Sequence, residues 1–243
     1  MYDAVILSDL HLGSPICLAR RLTELLNLLA EGAWPTRRLI LNGDLFDSSD
    51  LRRLSNDHWK ALSILRKLPS LMEVIWVAGN HDESALPTAS LFGLTPRHEV
   101  ILESGGERLL VLHGHQFDEF ITAHPRLTEV ADRVYRFLQW IDPSHRFAKM
   151  AKKGSKAFLR NAERIAKGAR ELASERGCTG VVCGHTHHAV HEPGEPGYFN
   201  SGCWTELPGT FLTVRNGSVE LVEHRSEKDE ARKERRRVAR IVH

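Results

Sequence analysis

Seven residues of this 243-residue chain have the types and placement of a metal centre: Asp9, His11, Asp44, Asn80, His113, His185 and His187. They fall in five short polar motifs, each directly after an apolar run. These are Ser8-Asp9-Leu10-His11, Asn42-Gly43-Asp44-Leu45-Phe46-Asp47, Gly79-Asn80-His81-Asp82, Leu112-His113-Gly114-His115 and Gly184-His185-Thr186-His187-His188. Three carboxylate or amide oxygens and four imidazoles are too many donors for one ordinary transition ion, and they suit two ions that share a bridging carboxylate. Two ions about 3.5–4 Å apart clamp both the attacking and the leaving oxygen of an in-line phosphoryl displacement. A water shared between them loses a proton near neutral pH, because two cations stabilise hydroxide. Mixed nitrogen and oxygen ligation without thiolate points to manganese, iron, zinc or cobalt rather than to calcium or a structural zinc site.

Taken singly, a loop histidine is a solvated surface residue and an Asp after Gly is a turn residue. That reading is kept for Asp47, His58, His98, His124 and His191. For the seven ligands it would have to hold at five strand ends at once. His115 and His188 each neighbour a ligand and divide evenly between substrate contact and plain exposure. Asp47 and Asp118 are read as supporting or structural residues rather than ligands, and the four cysteines as small buried hydrophobes.

The elements that must position these motifs are short strands alternating with amphipathic helices. Residues 4–8, 38–42 and 73–78 are strand-like, rich in Val, Ile and Leu. Between them Leu18, Leu22, Leu25, Leu26 and Leu29 recur at helical spacing, as do Trp59, Leu62, Leu65 and Leu68. This alternation indicates a largely parallel sheet of βαβ units, in which ligands bind beyond the carboxyl ends of the strands. Residues 99–112 instead read as two β-runs around Ser104-Gly105-Gly106-Glu107, a hairpin. Residues 179–223 are again strand-rich, with turns at Pro193-Gly194, Pro208-Gly209 and Asn216-Gly217.

A helical insertion is expected at about 119–176. Leu127, Val130, Val134, Phe137, Leu138 and Ile141 mark one helix. A second begins near His145 and carries Phe147, Met150, Phe158, Ile165 and Leu172, and its span 145–176 holds ten Lys and Arg against three Glu. The tail after His224 is a mixed-charge run. At 42% hydrophobic and 26% charged, with a net charge of +2, the composition is that of an ordinary globular protein. No stretch approaches the roughly 20 apolar residues that span a bilayer, and the N-terminus lacks the basic start and apolar run of a signal peptide. Four cysteines without a CxxC pair fit reduced thiols in a cytoplasm.

The motifs DxH, GDxxD, GNHD, HGH and GHTH, in this order, resemble the calcineurin-like metallophosphoesterases, over about residues 3–223. The resemblance implies an α/β fold, a four-layer αββα metallophosphoesterase sandwich with a helical cap insertion. Residues 1–118 and 177–224 would form the metallophosphoesterase domain, 119–176 the cap and 225–243 a charged tail. It implies that Asp9, His11, Asp44 and His187 hold one ion, and Asp44, Asn80, His113 and His185 the other, with Asp44 as the bridge. His81 would reach the phosphate and protonate the leaving oxygen or steady the developing charge, and Asp82 would orient His81. Two divalent ions are the expected cofactors, manganese first, with iron, zinc or cobalt as alternatives.

The chain lacks the GDxVDRG and GNHE pattern of the Ser/Thr protein phosphatases, which argues against phosphoprotein as substrate. Its helical insertion, its length and Tyr198-Phe199-Asn200-Ser201-Gly202-Cys203-Trp204-Thr205-Glu206 look like the UDP-2,3-diacylglucosamine diphosphatases and their relatives. That resemblance implies a phosphoester small-molecule substrate, a lipid-linked sugar nucleotide of lipid A synthesis, cleaved at its pyrophosphate. It also implies a cytoplasmic protein peripheral to the inner membrane. Relatives often carry Asp where Cys203 stands, and Ser48-Ser49-Asp50-Leu51-Arg52-Arg53 replaces a Trp-containing acidic segment. Another phosphodiester, a cyclic nucleotide included, and a non-catalytic scaffold are therefore the alternative expectations. Nucleic-acid cleavage, motivated by the basic helix and the Arg-rich tail, is a third alternative and ranks last, because the basic helix lacks interleaved aromatics.

Overall fold

The computed structural model describes residues 1–118 and 156–225. The expectations for the first insertion helix, for the start of the second, for His124 and for the tail beyond Arg225 fall outside the described residues.

Two sheets form the sandwich, and their central strands are buried on both faces. The first has the order β11-β10-β1-β2-β3-β4, from β1 (Ala4–Leu7), β2 (Arg38–Asn42), β3 (Glu73–Val77), β4 (Pro96–Arg97), β10 (Gly209–Arg215) and β11 (Ser218–His224). Strands β1 to β4 run parallel, while β10 and β11 are antiparallel additions at one side. The second sheet has the order β5-β6-β7-β9-β8, from β5 (Glu99–Ser104), β6 (Glu107–Leu112), β7 (Gly180–Cys183), β8 (Val190–Glu192) and β9 (Gly197–Asn200). The expected hairpins form. Ser104 pairs with Glu107 across Gly105-Gly106, and Asn216-Gly217, both with positive φ, close β10 onto β11.

The period of two along each strand sorts side chains between layers. In β1, Ala4 and Ile6 face the other sheet, while Val5 and Leu7 face helices. In β6, Leu109 and Val111 face inward to the first sheet and Leu110 and Leu112 outward. Helices α1 (Ala19–Ala30) and α2 (Asn56–Leu65) cover the first sheet, burying Leu22, Leu25, Leu26 and Leu29 from one and Ala61, Leu62 and Leu65 from the other. Trp59, counted in the apolar stripe of α2, is instead 48% exposed. Helix α3 (Lys156–Glu175) covers the second sheet through Ile165, Ala166, Ala169 and Ala173. This second half of the segment expected as a cap thus contributes core to the sandwich. The four layers run α, β, β, α. Among the described residues, no helix is long and apolar enough to cross a membrane. The four cysteines are free, three of them buried.

Candidate metal centre

The loops after β1, β2, β3, β6 and β7 all end at one edge of the sandwich. Those after β1 and β2 are laced together beyond the strands, where Asp9 N–H donates to Gly43 O (3.0 Å), His11 N–H to Asp44 O (2.9 Å) and Leu12 N–H to Leu45 O (2.9 Å). These loops and the loop after β7 share an unusual backbone. Among the described residues, six other than glycine have positive φ, and five of them are Asp9, His11, Asp44, His185 and His187, with φ from 47° to 65°. Such a residue costs on the order of 1–3 kcal/mol and persists where the surroundings over-determine it, typically at functional sites.

Three groups of donor atoms converge within 4.8 Å of one another: Asp9, His11 and His187; His11, Asp44 and His81; and Asp9, Asp44 and His113. Asp44 Oδ2 stands 3.6 Å from His11 Nε2 and 3.4 Å from His113 Nε2. His187 Nε2 is 3.2 Å from Asp9 Oδ1 and 3.1 Å from His11 Nε2. Two imidazole nitrogens facing each other beside a carboxylate make a cradle for a cation. Asn80 Oδ1 and His113 Nε2 are buried without a hydrogen-bond partner, which is the state of a ligand atom aimed at an ion.

Hydrogen bonds select the ring nitrogens. His113 Nδ1–H donates to Asn42 O (2.9 Å), leaving Nε2 toward Asp44. The His185 backbone N–H donates to the Asp9 carboxylate at 3.1 and 3.2 Å, and its Nε2 lies 3.0 Å from Asp118 Oδ2. His185 therefore adjoins the cluster, 5.4 Å from His113 between ring centroids, without belonging to one of the three groups.

The electrostatics are those of carboxylates that need cations. Burial would raise Asp44, but His113, His81 and His11 hold it well below the ordinary carboxylate range. Burial would likewise raise Asp9, and His187 and His113 keep it low. Their imidazole partners respond in the opposite sense. Against a burial that opposes charge, Asp44 and Asp9 push His113 up to about 9, and Asp9 and Cys203 push His187 up to about 10. Protons on imidazoles thus compensate charge that bound ions would compensate, and the residues present fit a divalent pair.

Asp82 does not orient His81. Its buried carboxylate accepts from Gly79 N–H (2.9 Å), Trp76 Nε1–H (3.1 Å) and Phe46 N–H (3.2 Å), tying the β3 loop to the β2 loop. Burial and the Asp44 charge push it up to about 6. His81 Nδ1–H instead donates to the Asp47 carbonyl oxygen (3.1 Å), and Arg53 grips the Asp47 carboxylate at 2.7 Å. The reason is geometric: Asp82 points to two backbone N–H groups and the Trp76 indole, while His81 points to the Asp47 carbonyl oxygen. Asp47, expected as a supporting or structural residue rather than a ligand, has that place here through its carbonyl oxygen.

His115 is half-buried, with its ring 5.5 Å from that of His113, and burial with the His113 and His185 rings brings it down to about 4. His188 turns toward Phe158 of α3, their ring centroids 6.3 Å apart, at a groove of about 640 Å³ between α3 and β8–β9. Among the other described histidines, His58 completes the α2 cap with Ser55, His191 Nε2–H donates to Val219 O, and His98 is exposed. The Tyr198–Glu206 segment braces the last ligand loop, with Asn200 Nδ2–H donating to Gly184 O (2.6 Å).

Gly43 shows how little room the centre leaves. Its φ is +86°, and a methyl group on it would run into the His113 ring. Gly43→Ala is expected to lower stability by about 2 kcal/mol or more, from the left-handed backbone and the displaced imidazole together. Urea unfolding of the two proteins measures it, and an unchanged midpoint would mean that the loop accommodates the methyl.

No curated protein matches the sequence. Among solved structures, a single mutant of Vps29 from Entamoeba histolytica is 14% identical, with 90% of this chain and 97% of that chain covered and a TM-score of 0.48. Vps29 from Cryptosporidium parvum is 16% identical, with 90% and 95% covered and a TM-score of 0.44. A novel archaeal phosphodiesterase is 14% identical, with 90% and 98% covered and a TM-score of 0.46. The model of the calcineurin-like phosphoesterases matches residues 3–189, which hold all seven expected ligands, and the chain belongs to that family.

Proposed function

We propose that this protein is a two-metal phosphoesterase that hydrolyses a phosphodiester or pyrophosphate bond at the Asp9–Asp44–His113–His187 cluster. The observation that carries the reading is the run of strained, positive-φ backbone at five of the expected ligand positions, converging on buried carboxylates shared between histidine sets. Strain of that kind is retained for ligand geometry rather than for packing.

Asp9, His11 and His187 would hold one ion, Asn80, His113 and His185 the other, with Asp44 between them. When bound, the two ions supply polarisation of the phosphoryl oxygens and a water acidified toward neutral pH. The chain's own residues do the rest. His81, fixed by the Asp47 carbonyl and by its own N–H on Asp44 Oδ1 (3.0 Å), presents Nε2 toward the reacting group and gives a proton to the leaving oxygen. His115 and His188, each beside an expected ligand, would meet the substrate's non-reacting part; His188 also lines the groove between α3 and β8–β9.

The substrate class proposed first is a sugar nucleotide bearing acyl chains, of the UDP-2,3-diacylglucosamine type. Its support is the apolar groove beside His188 and the basic residues of α3, although Arg170 of α3 and Arg176 just after it are engaged with Glu192 (2.7 Å) and Glu99 (3.0 Å). The test is a panel with manganese-loaded protein: bis-p-nitrophenyl phosphate, a UDP-linked acylated sugar, cyclic AMP and single-stranded DNA. Chelator-sensitive hydrolysis of the first is the expected result for the enzyme, and release of UMP from the second for the substrate class. A protein that binds two ions yet turns over none of the four would be a scaffold.

A further inference from the structure

We infer that Asn161 and Asp118 form a relay that positions His185, and through it ties α3 to the metal centre; this rests on the proposed reading of His185 as a ligand. Asp118 closes the short 3₁₀ turn His115–Phe117 after the HGH motif and is only 6% exposed. A buried carboxylate must be paired or hydrogen-bonded to persist. Its Oδ2 lies 3.0 Å from His185 Nε2 and accepts from Asn161 Nδ2–H at 3.0 Å.

The same two elements lock together by shape. A methyl group on Gly168 of α3 would run into the Phe117 ring, so helix and turn sit as close as glycine permits. Asn161 therefore reaches Asp118 from a helix held in one register, rather than from a free loop.

The consequence for His185 is chemical as well as geometric. A carboxylate on Nε2 fixes the proton there, so that Nδ1 carries the lone pair, and makes the ring a better donor. His185 is thus the odd member of the set, since His113 is held at Nδ1 by Asn42 and offers Nε2. The Asp9 carboxylate fixes its backbone N–H. Main chain and ring are then both anchored.

The experiment is manganese titration of the full chain by calorimetry, with metal content checked by mass spectrometry, for wild type, Asp118→Asn, Asn161→Ala and the double variant. Asp118→Asn is expected to weaken one of the two binding steps by about 10- to 100-fold, the range for residues that orient a metal-ligating histidine. Asn161→Ala should weaken the same step by a smaller factor. The double variant should be no worse than Asp118→Asn, because both act through one oxygen. A merely structural role would weaken both steps alike and lower the melting temperature of the metal-free protein. That result, or two unaltered steps in both single variants, overturns the relay. A wild-type chain that binds no manganese overturns the two-metal reading itself, and the relay with it.

Discussion

Asp44→Ala is expected to lose its metal ions and its turnover in the same step. Asp44 belongs to two of the three donor groups, and one of its oxygens stands between His11 and His113, which are assigned to different ions. Its other oxygen accepts the His81 backbone N–H, so the variant also releases the loop that carries His81, the proposed proton donor. Two ions provide several kcal/mol of charge stabilisation to a phosphoryl displacement, and each 1.4 kcal/mol is a factor of ten in rate. Hydrolysis of bis-p-nitrophenyl phosphate is therefore expected to fall by about a thousand-fold or more, with bound manganese falling from two equivalents to less than one. Asp9 has the same double membership but contacts His187 and the His185 backbone rather than His81. Asp9→Ala should accordingly lose metal while leaving the His81 loop in place. An Asp44→Ala protein that kept two ions and near-normal turnover would mean that the bridge lies elsewhere.

The convergence of Asp9, His11, Asp44, His113 and His187 was legible in the sequence because residue type and position along a strand are both local properties. A polar cluster just past a β-run has nowhere to go but the sheet edge, and five such clusters predict one centre. The layers were legible for the same reason, since the alternation in β1 and β6 already separates the two faces. What depended on tertiary contact was not. Asp82 sits next to His81 in the chain and was given to it, yet three donors from two other loops claim its carboxylate. Asp47 and Arg53 lie 34 and 28 positions from His81, and nothing local announces that they hold it. Helix α3 was read by its large residues and its basic face. Of those large residues Ile165 is fully buried and Leu172 packs against the sheet, but beside them runs the small stripe Ala166, Ala169 and Ala173, which a hydrophobic count hardly registers and which allows close approach to the sheet.

His81→Ala separates proton donation from metal binding. The ring is half-buried, its Nδ1–H is committed to the Asp47 carbonyl oxygen, and its edge meets the His11 ring with centroids 5.0 Å apart. Nε2 is then the nitrogen available to a phosphoryl oxygen or a departing alcohol. Its removal is expected to lower kcat by about 100- to 10,000-fold, the range for a positioned general acid. Metal content should stay at two equivalents, because Asp44, His11 and His113 remain. The size of the loss should depend on the leaving group. p-Nitrophenolate departs without much help from a proton, whereas a sugar or phosphate leaving group of higher pKa needs one. The variant should therefore lose less on bis-p-nitrophenyl phosphate than on an alkyl ester of the same phosphate. Loss of an ion together with activity would show His81 to be a ligand, as its membership with His11 and Asp44 in one donor group permits. Equal losses on both esters, with both ions retained, would leave His81 the task of steadying charge on the phosphoryl group rather than delivering the proton.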